Sequence, residues 1–207
     1  MNKLKVYKNT VLVFVLSLLV TLIDHPISQF FHESLRSLDA LLQAVTWLGD
    51  GRVLVPLCIF LGVFQILRRK NYLFGLQGIL GFLLSGAAVQ SLKMVFGRPR
   101  PYAFGDMRYT PEQLASFHWF SLNKDFASFP SGHATAVFSV AWVLAAHTNN
   151  KKLKYFILFT AIAVCFTRVA LAKHYLADTI AGAALGILCS QGIMDLFSRK
   201  SRRRHKS

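Results

Sequence analysis

Long apolar runs separated by short basic clusters constrain the fold of this chain more than any other feature. The 207 residues are 54% hydrophobic, and their mean hydropathy of +0.42 is too high for an ordinary soluble domain. An apolar run crosses the hydrocarbon core of a bilayer as an α-helix, because a helix pairs its backbone polar groups internally. The sequence therefore predicts an all-α, polytopic membrane protein that forms a single domain over residues 1–207.

Six of these runs are predicted to span the membrane and to pack as a six-transmembrane-helix bundle. The first run follows three lysines and has no small-residue cleavage site, which indicates a retained signal anchor. The third and sixth runs carry glycines at the spacing that lets helices pack closely. The predicted spans cover residues 10–23, 53–67, 72–92, 131–147, 155–167 and 175–197.

An amphipathic helix is predicted between the first two spans, because apolar side chains recur there at helical spacing among charged ones. Such a helix lies at the membrane interface or caps the bundle. Its apolar positions are Phe31, Leu35, Leu38, Leu42 and Val45. A short capped helix is also predicted to start at Thr110-Pro111-Glu112-Gln113, within the polar and aromatic loop of residues 97–129.

The net charge of the chain is +15, and most basic residues lie in clusters at the ends of the apolar runs. With the N-terminus inside and six crossings, all these clusters lie on the cytoplasmic side, in agreement with the positive-inside rule. We therefore expect a bacterial-type inner (plasma) membrane protein with both termini in the cytoplasm. Nucleic acid is not an expected partner; the basic tail of residues 198–207 is predicted to contact anionic phospholipid headgroups. The clusters are Lys3–Lys8, Arg68–Lys70, Lys151–Lys154 and Arg199–Lys206.

The same alternation brings three polar stretches together at the outer end of the bundle. The first ends span three, where Pro99 breaks the helix, the second opens span four, and the third joins spans five and six. Each stretch alone has a structural alternative: cations anchor the ends of spans, and a His–Asp pair ties two helices together. The polar residues concerned are Lys93 and Arg100, then Ser131, Gly132 and His133, then Arg168, His174 and Asp178.

Together these residues have the chemistry of a phosphoryl-transfer site. Three cations and the N-terminus of a helix capped by Ser131 suit a doubly charged phosphoryl group. His174 lies four residues before Asp178, so that the carboxylate can hold one imidazole nitrogen and leave the other free to attack phosphorus. His133 is then placed to protonate the departing oxygen. No cluster of carboxylates or cysteines indicates a metal site, and no cofactor is expected.

The three motifs resemble the signatures of the type 2 phosphatidic acid phosphatase superfamily. They are Lys-x6-Arg-Pro, Pro-Ser-Gly-His and Ser-Arg-x5-His-x3-Asp, and the part of this chain that carries them covers residues 93–178. The resemblance implies a helical bundle, a phosphohistidine intermediate on His174, Asp178 as the partner of His174, and His133 as the general acid. It implies a phosphate-binding cradle formed by Lys93, Arg100, Ser131, Gly132 and Arg168.

Three residues stand apart from the family pattern. Thr167 occupies the position at which the family usually has Ser, and it keeps the hydroxyl group. Arg98 and Lys173 lie outside the motifs, and we expect them to add positive potential at the mouth of the site.

A metal-independent lipid phosphatase at the outer face of the membrane is the function we expect. Undecaprenyl diphosphate, phosphatidylglycerophosphate, phosphatidic acid and lipid A phosphates all remain candidate substrates, and the short chain favours the first or a glycerophospholipid phosphate. A vanadium haloperoxidase would hold vanadate in the same cradle, but six spans argue against that typically soluble class. A non-enzymatic membrane scaffold would leave the arrangement of His133, His174 and Asp178 unexplained.

Overall fold

The computed structural model describes residues 3–67, 73–102 and 117–204 of the chain. This part is built from α-helices joined by short 3-10 turns and contains no strand, which confirms the all-α prediction. The short helix predicted at Thr110 and the basic cluster Arg68–Lys70 lie outside the described residues. The helices are α1 (Lys3–Val20), α2 (Asp24–Leu35), α3 (Asp39–Thr46), α4 (Gly51–Leu67), α5 (Leu73–Phe96), α6 (Gly132–His147), α7 (Lys151–Ala170) and α8 (Leu176–Arg204).

The described helices give a multi-pass membrane protein. Three of them are long and apolar enough to cross a bilayer, over Gly75–Phe96 in α5, Lys151–Ala170 in α7 and Leu176–Ser198 in α8. Helix α1 and the segment Asp24–Gly49 pass the same test only as a pair, bent by 82°. Helices α4 and α6 have 17 and 16 residues, fewer than the roughly 20 that a perpendicular crossing needs. Length and composition thus support three or four of the six predicted spans.

The predicted amphipathic helix forms as two pieces, α2 and α3, separated by the 3-10 turn Arg36–Leu38. Both pieces pack on α7, and α2 also contacts α8. Leu42 is buried with Ala170 and Leu171, and the rings of Phe31 and Phe166 meet edge to face at 5.2 Å. This segment therefore covers the end of the bundle at which α7 leads into α8.

Helix α6 forms the centre of the bundle, where it packs against α5, α7 and α8. The crossing of α6 and α8 is close because two glycines of α8 face the backbone of α6. A Cβ atom on Gly182 would lie 2.5 Å from the carbonyl oxygen of Ser131, and one on Gly186 would lie 2.4 Å from that of Thr135. The starts of α6 and α8 are therefore held side by side.

The chain leaves α5 through a tight turn at Gly97. Its φ of +52° favours glycine, and a Cβ atom there would lie 1.7 Å from the carbonyl oxygen of His118. Helix α5 ends at Phe96, so the prediction that this helix does not continue through Pro99 is confirmed. The turn directs the following residues across the same end of the bundle as the starts of α6 and α8.

Candidate active site

His174 lies in the turn between α7 and α8 and is only 2% exposed. Its Nδ1 atom is 2.8 Å from the carbonyl oxygen of Ser128. A carbonyl oxygen only accepts hydrogen bonds, so Nδ1 carries the hydrogen and Nε2 keeps its lone pair. Burial lowers the pKa of His174 well below 6.5, and Lys93 and Arg100 lower it further, whereas Asp178 acts in the opposite direction. The ring is therefore neutral at pH 7, which is the nucleophilic form.

Asp178 is fully buried in the first turn of α8, close to His174 but without a direct hydrogen bond to it. Its Oδ2 atom is 3.6 Å from Nδ1 of His174. The same oxygen accepts the Ser128 hydroxyl at 2.5 Å and the Tyr175 backbone N–H at 2.8 Å. The four-residue spacing does not give a direct contact because α8 begins at Leu176, after the histidine. Asp178 thus binds Ser128, whose carbonyl bonds His174, and Tyr175, which follows His174 in the chain. It also places a negative charge near the ring of His174.

Arg98 is buried, which corrects the prediction that it adds positive potential at the mouth. It is 6% exposed and pairs with two buried carboxylates, those of Asp24 and Asp178. Burial acts to lower the pKa of Arg98, but the two carboxylates outweigh it and raise the pKa above its ordinary value. A buried cation neutralised in this way contributes little field at the surface.

The three predicted cradle cations come from three different elements. Lys93 lies in the last turn of α5 and donates to the carbonyl of Ala127. Arg100 donates from Nε to the carbonyl of Lys124 at 3.1 Å and from Nη1 to that of Lys173 at 3.3 Å.

Arg168, in the last turn of α7, is 8% exposed and donates from Nη1 to Thr46 at 3.1 Å. Its Nε–H is buried and has no hydrogen-bond partner among the residues that the structure describes. An unpaired buried donor is costly, and the oxygen of a bound phosphoryl group would satisfy it.

The start of α6 is arranged as the sequence predicts. Ser131 is the N-cap, and its hydroxyl accepts the backbone N–H of Ala134 at 3.5 Å. A Cβ atom on Gly132 would be 3.9 Å from Cε of Lys93, so that the lysine side chain reaches the helix N-terminus. His133 is partly exposed and lines a cavity of about 200 Å³ together with Asp50 and Gln90.

Thr167 and Lys173 lie beside the site, and the positive potential expected of Lys173 at its mouth stays a prediction. The Thr167 hydroxyl is buried and donates to the carbonyl of Val164 in its own helix, at 2.7 Å. The ammonium of Lys173 is 5.1 Å from the ring centre of Tyr102. Thr167, which stands where the family usually has Ser, therefore uses its hydroxyl for a hydrogen bond within α7.

Three residues of the site were missed by the sequence interpretation, Asp24, Asp50 and Ser128, and a fourth, Arg98, was given a different role. Arg52 holds the pKa of Asp50 near 2 through hydrogen bonds to its carboxylate, so that a fixed negative charge lines the cavity of His133. Asp24 and Arg98 could have been found from their position beside apolar spans. An ionisable side chain buried there costs free energy, so it usually has a charged partner or a function. The sequence gives no such signal for Ser128, because the group that bonds His174 is its backbone carbonyl, which every residue has.

No group of three or more His, Cys, Asp or Glu side chains that could hold a metal ion occurs in the described ranges. The side chains around His174 that carry charge are mostly Lys and Arg. Such cations suit a bound anion.

The sequence of this chain matches one family profile and several known proteins. The profile of the family described as PAP2 superfamily matches residues 74–202. Lipid A 1-phosphatase of Rhizobium johnstonii is 36% identical over 121 residues, which are 56% of this chain and 45% of that protein. Phosphatidylglycerophosphatase B of Bacillus subtilis is 29% identical over 163 residues, which are 73% of this chain and 71% of that protein.

A solved structure shares the fold. The crystal structure of the first transmembrane PAP2 type phosphatidylglycerolphosphate phosphatase from Bacillus subtilis gives a TM-score of 0.71, covering 95% of this chain and 96% of that chain. Its sequence identity to this chain is 22%, so that the likeness concerns the fold alone. The chain spans about half the length of three curated relatives that it matches, between 42% and 52%.

Proposed function

This chain belongs to the PAP2 superfamily, and from that premise we propose that it is a membrane lipid phosphatase that acts through a phosphohistidine on His174. The observation that carries the proposal is the 2.8 Å hydrogen bond between Nδ1 of His174 and the Ser128 carbonyl. This bond leaves Nε2 with the lone pair, in a turn under the influence of Lys93 and Arg100. A neutral imidazole held beside two cations is suited to attack an anionic phosphorus centre.

In the first proposed step, Nε2 of His174 attacks phosphorus, a P–N bond forms, and the bond from phosphorus to the lipid oxygen breaks. Lys93, Arg100 and Arg168 neutralise the non-bridging oxygens, and the N-terminus of α6 adds N–H donors. His133 gives its proton to the departing lipid oxygen. The cavity of about 200 Å³ that His133 lines has room for part of that leaving group.

In the second step, water replaces His174 on phosphorus. The unprotonated His133 takes a proton from this water, the P–N bond breaks, and inorganic phosphate and neutral His174 result. Between the two steps the ring of His174 is positively charged, because Nδ1 keeps its hydrogen while Nε2 carries the phosphoryl group. The carboxylate of Asp178, 3.6 Å from Nδ1, stabilises that charge.

We propose that the reaction needs no metal ion. In many phosphoryl-transfer enzymes Mg²⁺ neutralises the phosphate oxygens and orients the transferred group. Here three fixed side-chain cations have that role, and none of them is a metal ligand. The unpaired Nε–H of Arg168 supports this assignment because it is a donor of the kind that phosphate oxygens accept.

The substrate that we propose is a membrane lipid with a phosphate monoester or diphosphate, of the undecaprenyl diphosphate, phosphatidylglycerophosphate or phosphatidic acid type. The likeness to phosphatidylglycerophosphatase B, which extends over 73% of this chain, supports a glycerophospholipid phosphate. The likeness to a lipid A 1-phosphatase over 56% of this chain supports lipid A phosphate as the second candidate.

We further propose that the chain crosses a bacterial-type inner membrane six times, with both termini in the cytoplasm. The site then opens at the outer face, and the substrate enters from the outer leaflet. Two features support this arrangement. The site residues all lie at one end of the bundle, and the contact between Lys3 and Asp195, at 2.5 Å, joins the start of α1 to the distal part of α8.

The experiment that tests the function is phosphate release by the purified protein in mixed micelles of each candidate lipid. We expect release from at least one lipid phosphate, undiminished by a chelator and inhibited by vanadate, which resembles the transferred phosphoryl group. His174→Ala, purified in the same way, is the control. Activity that is lost in the chelator and restored by Mg²⁺ would contradict the proposed cradle. Halide oxidation by the vanadate-loaded protein, without any phosphate release, would favour a haloperoxidase.

A further inference from the structure

Three buried charged side chains from distant parts of the chain form one network behind His174. Asp24 belongs to α2, Arg98 follows α5, and Asp178 belongs to α8. Both carboxylates are 0% exposed, and the guanidinium joins them. Nη2 and Nη1 of Arg98 donate to the two oxygens of Asp24 at 2.7 and 3.1 Å, and Nη1 also donates to Asp178 at 2.7 Å. The ring of Tyr175 covers the guanidinium, 4.0 Å from its central carbon.

Helix α2 also provides caps for the first N–H groups of α8. The Leu176 N–H donates to the hydroxyl of Ser28 at 3.3 Å, and the Ala177 N–H donates to the carboxylate of Asp24 at 3.1 Å. Ser28 and Asp24 are four residues apart and so lie on one face of α2. The first N–H groups of a helix have no partner within that helix, so such caps fix where the helix begins. The start of α8, and with it the turn that holds His174, is therefore tied to α2.

The network also fixes the charge state next to the nucleophile. Asp178 faces the Nδ1–H of His174 across 3.6 Å and is tightly paired with Arg98 on its other oxygen. A carboxylate engaged by a guanidinium is a poor proton acceptor. Nδ1 therefore keeps its hydrogen on the Ser128 carbonyl, while Asp178 remains an anion at a set distance from the ring.

We infer that Asp24, acting through Arg98, is a positioning residue that holds Asp178 and the start of α8 so that Nε2 of His174 points at phosphorus. The inference rests on the proposed phosphatase function. It extends that function to a residue outside the family match, which covers residues 74–202. It also gives α2 a role, since this helix would otherwise only cover the end of the bundle.

The test is Asp24→Asn, which keeps the size of the side chain and an oxygen for the Ala177 N–H but removes the charge that holds Arg98. The matched control is Glu33→Gln, the same chemical change at an exposed position of the same helix. Each protein is incubated with ³²P-labelled lipid phosphate, quenched at alkaline pH to preserve phosphohistidine, and followed through a first turnover. The burst amplitude counts the molecules whose His174 becomes phosphorylated.

For Asp24→Asn we expect the rate of phosphoenzyme formation per competent molecule to fall roughly 10- to 100-fold, because a small displacement of a nucleophile has an effect of that size. KM should change by less than about twofold, and Glu33→Gln should match the wild type, because neither change touches the phosphate-binding groups. Arg98→Lys keeps the charge but loses the forked contact, and we expect it to lower the same rate. The double variant should be no slower than the slower single variant, because both changes break one connection.

Two results would overturn the inference. One is a reduced burst amplitude with an unchanged rate per competent molecule, since this would mean that Asp24 only stabilises the fold. The other is additive losses in the double variant. If Asp24→Asn does not fold, Arg98→Lys gives the same comparison of rate with amplitude. Failure of the proposed function is a separate result, because then the wild-type protein itself would give neither a phosphoenzyme nor phosphate.

Discussion

His174 and His133 lie in different surroundings, and this difference assigns them different tasks. His174 is almost fully buried and fixed by a backbone carbonyl, whereas His133 is partly exposed and lines a cavity. A fixed neutral ring suits a nucleophile, which must keep one orientation. A ring that faces a cavity suits proton exchange with a leaving group and then with water.

Substitution of the two histidines should therefore have different effects on different substrates. His174→Ala should abolish turnover of every lipid phosphate. His133→Ala should slow alkyl phosphates by roughly 100- to 10,000-fold, and aryl phosphates or diphosphates much less, because their leaving groups need less protonation. The measurement is kcat/KM for both variants on all three substrate types, with folding checked for each. Equal losses across substrates for His133→Ala would leave that residue as a phosphate-binding group.

The pH dependence of activity should reflect the lowered pKa of His174. Neutral imidazole attacks phosphorus, and a pKa lowered from 6.5 keeps the ring neutral to more acidic pH. We therefore expect no loss of kcat/KM near pH 6.5 that is common to all substrates. The pH profile should be recorded for two substrates whose phosphate groups have different pKa values. A loss of activity at acidic pH that is due to the substrate then occurs at a different pH for each substrate. A common acid limb at pH 6.5 would contradict the neutral, buried state of His174.

At the scale of helices, the site depends on the crossing of α6 and α8. Each of these helices carries part of the site in its first turn, and the Ser131 N–H donates to the Asp178 carbonyl at 2.9 Å where they meet. Gly182 makes this approach possible because its missing side chain leaves room for the α6 backbone. The two helix starts therefore meet because α6 and α8 pack closely at Gly182, and the catalytic motifs alone would not bring them together.

Gly182→Ala should separate the two helix starts. The added Cβ atom would lie 2.5 Å from a backbone oxygen, which cannot move as a side chain can. We expect a loss of stability of about 1–3 kcal/mol and a loss of activity that exceeds the loss of folded protein. The control is Gly62→Ala in α4, where the Cβ atom would meet its nearest neighbour at 3.7 Å, an ordinary contact. Thermal unfolding and phosphate release on both variants measure the two effects, and full activity of Gly182→Ala would show that the crossing can relax.

At the scale of the whole molecule, the charges set the orientation that we propose. The bend of 82° between α1 and the following segment lets α2 and α3 lie across the end of the bundle that carries the site. Loop residues at that end and at the opposite end should therefore be accessible from opposite sides of the membrane. Lys124 and Asn149 are exposed and follow different helices, so they report on the two ends.

Cysteine labelling of intact cells tests this orientation. Lys124→Cys should react with a membrane-impermeant maleimide, and Asn149→Cys should react only after the cells are opened, because the positive-inside rule keeps the Lys151–Lys154 cluster in the cytoplasm. The native thiols at Cys58, Cys165 and Cys189 are in helices and are replaced first. The reverse labelling pattern would place the site in the cytoplasm, and the proposed outer-leaflet substrate would be wrong.

The sequence by itself determined the features that depend on near neighbours in the chain. Hydropathy predicted the all-α class, Pro99 predicted that α5 ends before it, and Ser131 predicted the cap of α6, because each of these effects acts within a few residues. The three motifs, each a short stretch of the sequence, predicted the family that the profile match shows. The contact expected from the four-residue spacing of His174 and Asp178 did not form, because α8 begins at Leu176 and His174 lies outside the helix.

The tertiary structure alone decided which groups surround the nucleophile. The Ser128 carbonyl holds His174 across 46 residues of sequence, and Arg98 reaches Asp24 across 74 and Asp178 across 80. Such contacts form where helix ends meet, and the meeting depends on close crossings such as that at Gly182. A buried charge needs a partner wherever the fold provides one. From the sequence one can infer that a charge such as that of Arg98 needs a partner if it is buried. The packing of the helices decides that this partner is Asp24, and that His174 bonds a backbone oxygen.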